Sequence, residues 1–322
     1  MNAPQPDPGI ISPQMQALLQ KVAAETGPQP DPTLLPAAEG RAVSARNNRR
    51  WNVNLPEMAA ETEVWIPADP TLGSERCRIR ILTPDNAGSG IVFFVHGGGF
   101  AFCSPETHER CARVLANETR MPVAMPDYRL APENPFPAGL LDVVACLRAL
   151  LDGLVDGPVA RPFFVSGDSS GANLALAAML HEQTTGRALP DGGLLFYGNY
   201  AADLTGNSYA RFANGPGLTT SRMQRYWDWY AGGRAISADP LACPLAASDE
   251  ALLRLPPLYL IAAGVDPLFS DTVTLHARLK DLGRADDMEI VPGVTHGFLQ
   301  HTNELEAARE ALRSAGAAAR RM

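Results

Sequence analysis

The sequence predicts an α/β fold in which a mostly parallel central sheet carries helices on both faces, and three observations point there. Short continuous apolar runs alternate with helical stretches from Ile91 onward. A Gly-x-Ser-x-Gly pentapeptide, Gly167-Asp168-Ser169-Ser170-Gly171, stands between one such run and a helical stretch. An acid and a histidine follow it, each just beyond a later apolar run.

Taken in order, residues up to about Pro36 are rich in proline and small polar residues. One amphipathic stretch, Pro13 to Ala24, interrupts them and reads as a helix packed on the body of the protein or as a cap over a pocket. Thr62 to Pro67 and Arg76 to Leu82 alternate polar and apolar residues, the pattern of half-exposed antiparallel strands at a sheet edge. Buried strands are then predicted at Ile91–Val95, Val123–Pro126, Phe163–Val165, Gly193–Tyr197, Leu258–Ala263 and Met288–Val291. The stretch between Tyr197 and Leu258 is too long for a simple crossover, so an insertion is expected there. It contains Trp227 and Trp229 in a helical context, which serve either as core packing or as walls of an apolar pocket. With Phe100 they are the candidate substrate-binding residues. The resulting division is 1–55 as an N-terminal cap segment, 56–200 and 234–322 as the two parts of the core, and 201–233 as a cap insertion.

Composition narrows the function. A chain of 322 residues with 46% hydrophobic content can bury a substantial core, as one large α/β domain or two small ones. A net charge of -8, with no cationic run longer than Arg49-Arg50, argues against a nucleic-acid partner. Five scattered cysteines without a Cys-x-x-Cys suggest neither a disulfide framework nor a zinc site, and fit a reducing cytoplasm. The N-terminus lacks the cationic start and apolar core of a signal peptide, and no apolar stretch is long enough to cross a bilayer, so no stable membrane association is expected.

The chemistry begins at Ser169, the candidate nucleophile, because flanking glycines permit a turn sharp enough to lift its side chain off the sheet. Gly-Asp-Ser also occurs in trypsin-like proteases, but those place His and Asp before Ser, whereas here the partners lie downstream. Asp266 sits just past the run Leu258–Ala263, where Pro267 forbids continuation of the ladder, and is the candidate acid. Asp271 falls a few residues into the next helix and reads as a solvated or helix-N-terminal carboxylate. His296 follows the run Met288–Val291 and precedes the last helix, where the base belongs, whereas His276 lies inside a helical run and His301 within or beside the final one. His96-Gly97-Gly98-Gly99-Phe100 directly after the first buried strand supplies backbone donors for an oxyanion, assigned to Gly98 and Gly99 with the Ser170 N–H. A phosphate cradle is the rival reading of such a loop, yet no Gly-Lys-Ser/Thr follows. His96 itself orders the loop.

Together these residues resemble the hormone-sensitive-lipase-like family of bacterial carboxylesterases within the α/β-hydrolase superfamily, over about Ile91 to Phe298. The resemblance includes Ser104-Pro105-Glu106-Thr107-His108, Asp127-Tyr128-Arg129-Leu130-Ala131-Pro132-Glu133, Pro135-Phe136-Pro137, Asp239-Pro240 and Pro244-Leu245. It implies an α/β-hydrolase fold with a helical cap, a triad of Ser169, Asp266 and His296, no cofactor, and a short- to medium-chain ester as substrate. A homodimer through sheet edges is open. Ser170 departs from the Ala usual at that place, which leaves its backbone role intact. The same triad serves amidases, lactonases and carbamate hydrolases, and a related scaffold serves non-catalytic small-molecule receptors, which lack the histidine retained here as His296.

Overall fold

A computed structural model describes residues 7–153 and 161–322. Eight strands form one sheet: β1 (Ala60–Ile66), β2 (Cys77–Thr83), β3 (Ile91–Val95), β4 (Val123–Pro126), β5 (Phe163–Asp168), β6 (Gly192–Phe196), β7 (Leu258–Val265) and β8 (Asp287–Thr295). Their spatial order is β1-β2-β4-β3-β5-β6-β7-β8. β1 pairs antiparallel with β2 and β2 antiparallel with β4, while all other neighbours are parallel. The two alternating segments are thus the sheet edge expected of them, and each predicted buried run is a strand. β8 runs past its predicted end at Val291 because Pro292 and Gly293 are carried within it and pairing resumes at Val265 with Thr295 after a register shift.

Strand periodicity divides the core in two. Phe93, Val95, Phe163, Val165, Leu195, Leu258 and Leu260 face one apolar cluster, whereas Val92, Phe94, Phe164, Leu194, Phe196, Tyr259 and Ile261 face the other. The first is covered by α4 (Ala138–Leu151), α5 (Ser170–Thr184) and α9 (Phe269–Asp281), the second by α3 (Glu109–Thr119) and α10 (Glu306–Ala319). Coverage on both faces is what makes the central strands continuous apolar runs rather than alternating ones.

Over the carboxyl ends of these strands lie helices from two distant parts of the chain. α1 (Pro13–Thr26) and α2 (Ala37–Asn48) come first; α6 (Asn207–Arg211) and α7 (Thr220–Ala231) come from the expected insertion, whereas α8 (Asp249–Leu253) lies at the opposite end, just before β7, where Ala251 O accepts from Gln183 at the end of α5. α1 matches the amphipathic stretch: Ser12 caps it, buried Met15 and Leu18 face inward, and the Ser12 N–H donates to Gly293 O of β8 at 2.9 Å. α2 has only a weak apolar stripe and is held mainly by Arg41, which donates to Ala101 O and Ala131 O, both at 2.8 Å, and pairs with Glu133. Asp31 joins the two regions, accepting from Arg225 Nη2 at 2.8 Å and lying 3.1 Å from Arg222 Nε. No helix among the described residues is long and apolar enough to cross a membrane.

Candidate active site

The site is built from turns at the carboxyl ends of β3, β5, β7 and β8. Ser169 closes β5 and opens α5 with φ of 54°, a left-handed value costly for a residue with a side chain. The turn is held by the Ser169 N–H donating to Phe196 O at 2.9 Å and by close backbone approach beneath it. A Cβ on Gly171 would stand 2.0 Å from Val95 O, so α5 can start this close to β3 only without a side chain there.

His296 follows β8, and Asp266 follows β7. Asp266 is fully buried; its Oδ1 accepts from the Leu268 N–H at 2.9 Å, and its Oδ2 lies 2.7 Å from His296 Nδ1. That contact puts the imidazole proton on Nδ1, so Nε2, 2.9 Å from Ser169 Oγ, is the acceptor facing the hydroxyl. The edge of the His296 ring is further set by Tyr197, with centroids 5.0 Å apart at 67°. The structure thus brings Ser169, His296 and Asp266 into one hydrogen-bonded chain. Of the two readings of Asp271 the helix-N-terminal one holds and the solvated one does not: it lies in the first turn of α9 but is only 5% exposed, accepting from the N–H groups of Tyr200 at 2.8 Å and Ala201 at 3.3 Å. Burial pushes its carboxyl up to about 7.

The glycine loop after β3 lies against the same serine. The Gly97 N–H donates to Asp168 Oδ1 at 2.8 Å, and the Phe100 N–H to Ser170 Oγ at 3.1 Å. Ser170 therefore contributes its hydroxyl to the loop as well as its backbone. Gly98 and Gly99 line the cavity with Ser169 and His296, and their N–H groups donate to no acceptor among the described residues. His96 is buried with Nδ1 2.9 Å from Gly97 O, and Tyr128 OH donates to His96 O at 2.7 Å. Burial, aided by His108, drives the His96 ring down to about 3, so it stays neutral in the loop.

The cavity, about 150 Å³, has a roof that differs from the expected one. Leu218, Met223 and Tyr226 form its apolar side. Phe100 does not reach it: it stacks on Tyr230 at 3.8 Å and 9°, with Trp227 at 5.3 Å, and both Phe100 and Trp227 are buried in the core. Trp229, half-buried, packs against Phe102 instead. The reason is helical phase: Met223, Trp227 and Tyr230 form the buried stripe of α7, and Tyr226 is the aromatic turned over the loop, where a Cβ on Gly99 would stand 2.4 Å from its ring.

Several lining residues escaped sequence reasoning: Asn48, Cys103, His108, Asp168 and Gln300. His108 Nε2 lies 3.3 Å from Asp168 Oδ1, a pair sixty residues apart in sequence. Burial opposes the Asp168 charge, but His108, the Gly97 N–H and His296 hold its carboxyl below the ordinary range. Burial pushes the Cys103 thiol up to about 11, which removes it as a rival nucleophile at neutral pH. Among the described residues no cluster of His, Cys, Asp and Glu has the makings of a metal site.

Comparison with known proteins agrees with this architecture. A family model described as the α/β hydrolase fold matches residues 92–300. An ester-hydrolase from the metagenome of Lake Arreo, solved with a bipyridine phosphonate derivative, is 30% identical over 96% of this chain and 98% of its own, with a TM-score of 0.88. A hyperthermophilic esterase from the archaeon Pyrobaculum calidifontis is 28% identical over 97% and 99%, with a TM-score of 0.87. A thermostable esterase from Pseudomonas putida is 25% identical over 98% and 97%, also at 0.87. With its sheet order, its serine turn and this breadth of similarity, the chain belongs to the α/β-hydrolase family, in the hormone-sensitive-lipase-like branch.

Proposed function

We propose that the protein hydrolyses short- to medium-chain carboxylic esters through an acyl-enzyme. The observation that carries this reading is the unbroken chain from Ser169 Oγ through His296 to Asp266 beside the glycine loop. Ser169 Oγ attacks the ester carbonyl while its proton passes to His296 Nε2; Asp266 holds the ring's tautomer and stabilises the imidazolium. The N–H groups of Gly98, Gly99 and Ser170 receive the tetrahedral oxyanion. His296 then returns the proton to the leaving alcohol, and in the second half it draws a proton from water, which attacks the acyl carbon, and gives that proton to Ser169 Oγ as the acyl–oxygen bond breaks and the acid leaves. The modest cavity volume favours small acyl groups, and residues 7–55 of the N-terminal segment, whose first six residues lie outside the described ones, act with 201–233 as its cap.

Hydrolysis of p-nitrophenyl acetate through decanoate by wild type and Ser169→Ala tests this, with mass spectrometry after an organophosphonate probe. Turnover strongest on the shorter esters, lost by at least about 10⁴-fold in Ser169→Ala, and probe mass on Ser169 are expected. Unchanged turnover in the variant would sink the assignment.

A further inference from the structure

We propose that the arm Asp7–Ser12 is a positioning element for the catalytic base: it completes the backbone of a bulge from which Asp266 and His296 leave the sheet, and through Asp7 it ties that geometry to α6. The placement of the imidazole is independent of any substrate; only the effect on turnover rests on the ester-hydrolase reading.

The two triad residues leave the sheet from one irregular place. Register between β7 and β8 passes from Ala263 with Val291 to Val265 with Thr295, so Gly264 alone stands opposite Pro292, Gly293 and Val294. Asp266 comes just after Gly264, and His296 just after Val294 and Thr295. β8 is the last strand of the sheet, so no further strand takes up the polar groups that the bulge leaves unpaired. The arm takes them. The Gly293 N–H donates to Pro8 O at 2.9 Å, and Gly293 O accepts from the Ser12 N–H at 2.9 Å. The approach is close on both strands: a Cβ on Gly264 would stand 2.1 Å from Pro8 O, and one on Gly293, where φ is +69°, would stand 2.6 Å from Ser12 N. Next along the chain, fully buried Met15 of α1 lies against Thr295, with Sδ 3.9 Å from Thr295 Oγ1.

The arm is also fastened at its far end. Asp7 accepts from the Gly9 N–H at 2.8 Å and from Arg211 Nη2 of α6 at 2.7 Å. The arm thus bridges α6 and the bulge without using a triad side chain. His296 must meet Asp266 at 2.7 Å on one ring nitrogen and Ser169 at 2.9 Å on the other, and both contacts depend on where the bulge delivers its backbone. A misplacement of about 1 Å in such a chain costs up to about 10² in rate.

Ser12→Pro, read against Ser12→Ala, tests the proposal. Both lose the hydroxyl that caps α1, and only the first loses the N–H that Gly293 O accepts. Ser12 has φ of -73°, which proline adopts without strain. Relative to Ser12→Ala, we expect kcat on p-nitrophenyl butyrate to fall roughly tenfold or more in Ser12→Pro with KM held within about twofold. The downfield proton resonance of His296 Nδ1–H, identified by its loss in His296→Gln, should shift or broaden in Ser12→Pro and stay in place in Ser12→Ala. Asp7→Ala, which frees only the exposed end of the arm, should lower kcat by about two- to threefold and move the same resonance less. Equal kcat in Ser12→Pro and Ser12→Ala, a loss confined to KM, or an unmoved resonance overturns the inference while the ester-hydrolase reading stands. Should Ser12→Pro fail to fold, Asp7→Ala decides, and unchanged kcat and resonance there overturn the inference. A wild type that hydrolyses no ester sinks the hydrolase reading, and the resonance alone then decides the role of the arm.

Discussion

The floor of the cavity and its roof are held by different forces. The floor, made of Ser169, His296, Asp266 and the loop His96–Phe100, is fixed by backbone: a positive φ at Ser169, a Gly171 with no room for a Cβ, and main-chain N–H groups tied to buried acceptors. The roof, made of α1, α2, α6 and α7, is fixed by side chains: Arg41 on carbonyls, Asp31 between Arg222 and Arg225, and the Tyr226 ring over Gly99. A floor of this kind governs the rate of the chemical step, whereas a roof of this kind governs which substrate is admitted.

Substitutions in the two regions should therefore act on different kinetic quantities. The largest effect belongs to the floor: Asp266→Asn should lower kcat about 10⁴-fold with little change in KM, because Nδ1 no longer faces a carboxylate and the tautomer is lost; steady-state kinetics on p-nitrophenyl butyrate reads this directly. Next comes a point where floor and roof touch. Gly99→Ala should cost about 10² to 10³ in kcat, and the double variant Gly99→Ala/Tyr226→Ala should recover part of it, since the added Cβ collides with that ring; absence of recovery would assign the whole loss to the loop's own backbone, where φ is +61°.

Asp271 holds the N–H groups of Tyr200 and Ala201 where the chain leaves β6 for the insertion. The folded carboxyl stays protonated to about pH 7, whereas the unfolded one ionises near 3.8. The unfolded state therefore releases the proton first, and this group lowers stability progressively from about pH 4 to pH 7, at up to about 1.4 kcal/mol per pH unit, with no further change above. Asp271→Asn keeps an oxygen for both N–H donors and should flatten the wild-type decline in urea-denaturation midpoint over that window; an unaltered slope would contradict the assignment. The smallest effect is in the roof: Asp31→Ala should cost about 1 kcal/mol of stability and raise KM severalfold with kcat nearly unchanged, both measured against added salt, because its two arginine contacts are partly exposed and screened.

The same division explains what could be read from the sequence. Floor residues follow local grammar: an apolar run, then Gly-Asp-Ser-Ser-Gly, Asp266-Pro267 or a glycine triplet, each announcing a strand end and a turn. All eight strands were legible for this reason. The roof was not, because choosing Phe100, Trp227 and Trp229 by residue type ignores which face of α7 meets the cavity, and that phase is set by burial of Met223, Trp227 and Tyr230 against the core. α2 escaped for want of an apolar stripe, and Gln300 because a neutral amide belongs to no motif.

Gly171, pressed against Val95 O, has a consequence for how this protein can diversify. Any side chain at that position dislodges the start of α5 and the serine with it, so the position is closed to variation, whereas Tyr226 lies outside the buried stripe of α7 and can change without moving the turn beneath Ser169. New specificities can therefore accumulate in the roof without trial at the nucleophile, and a mutational library confined to position 226 should retain folded, phosphonate-reactive protein far more often than one aimed at the turn beneath Ser169.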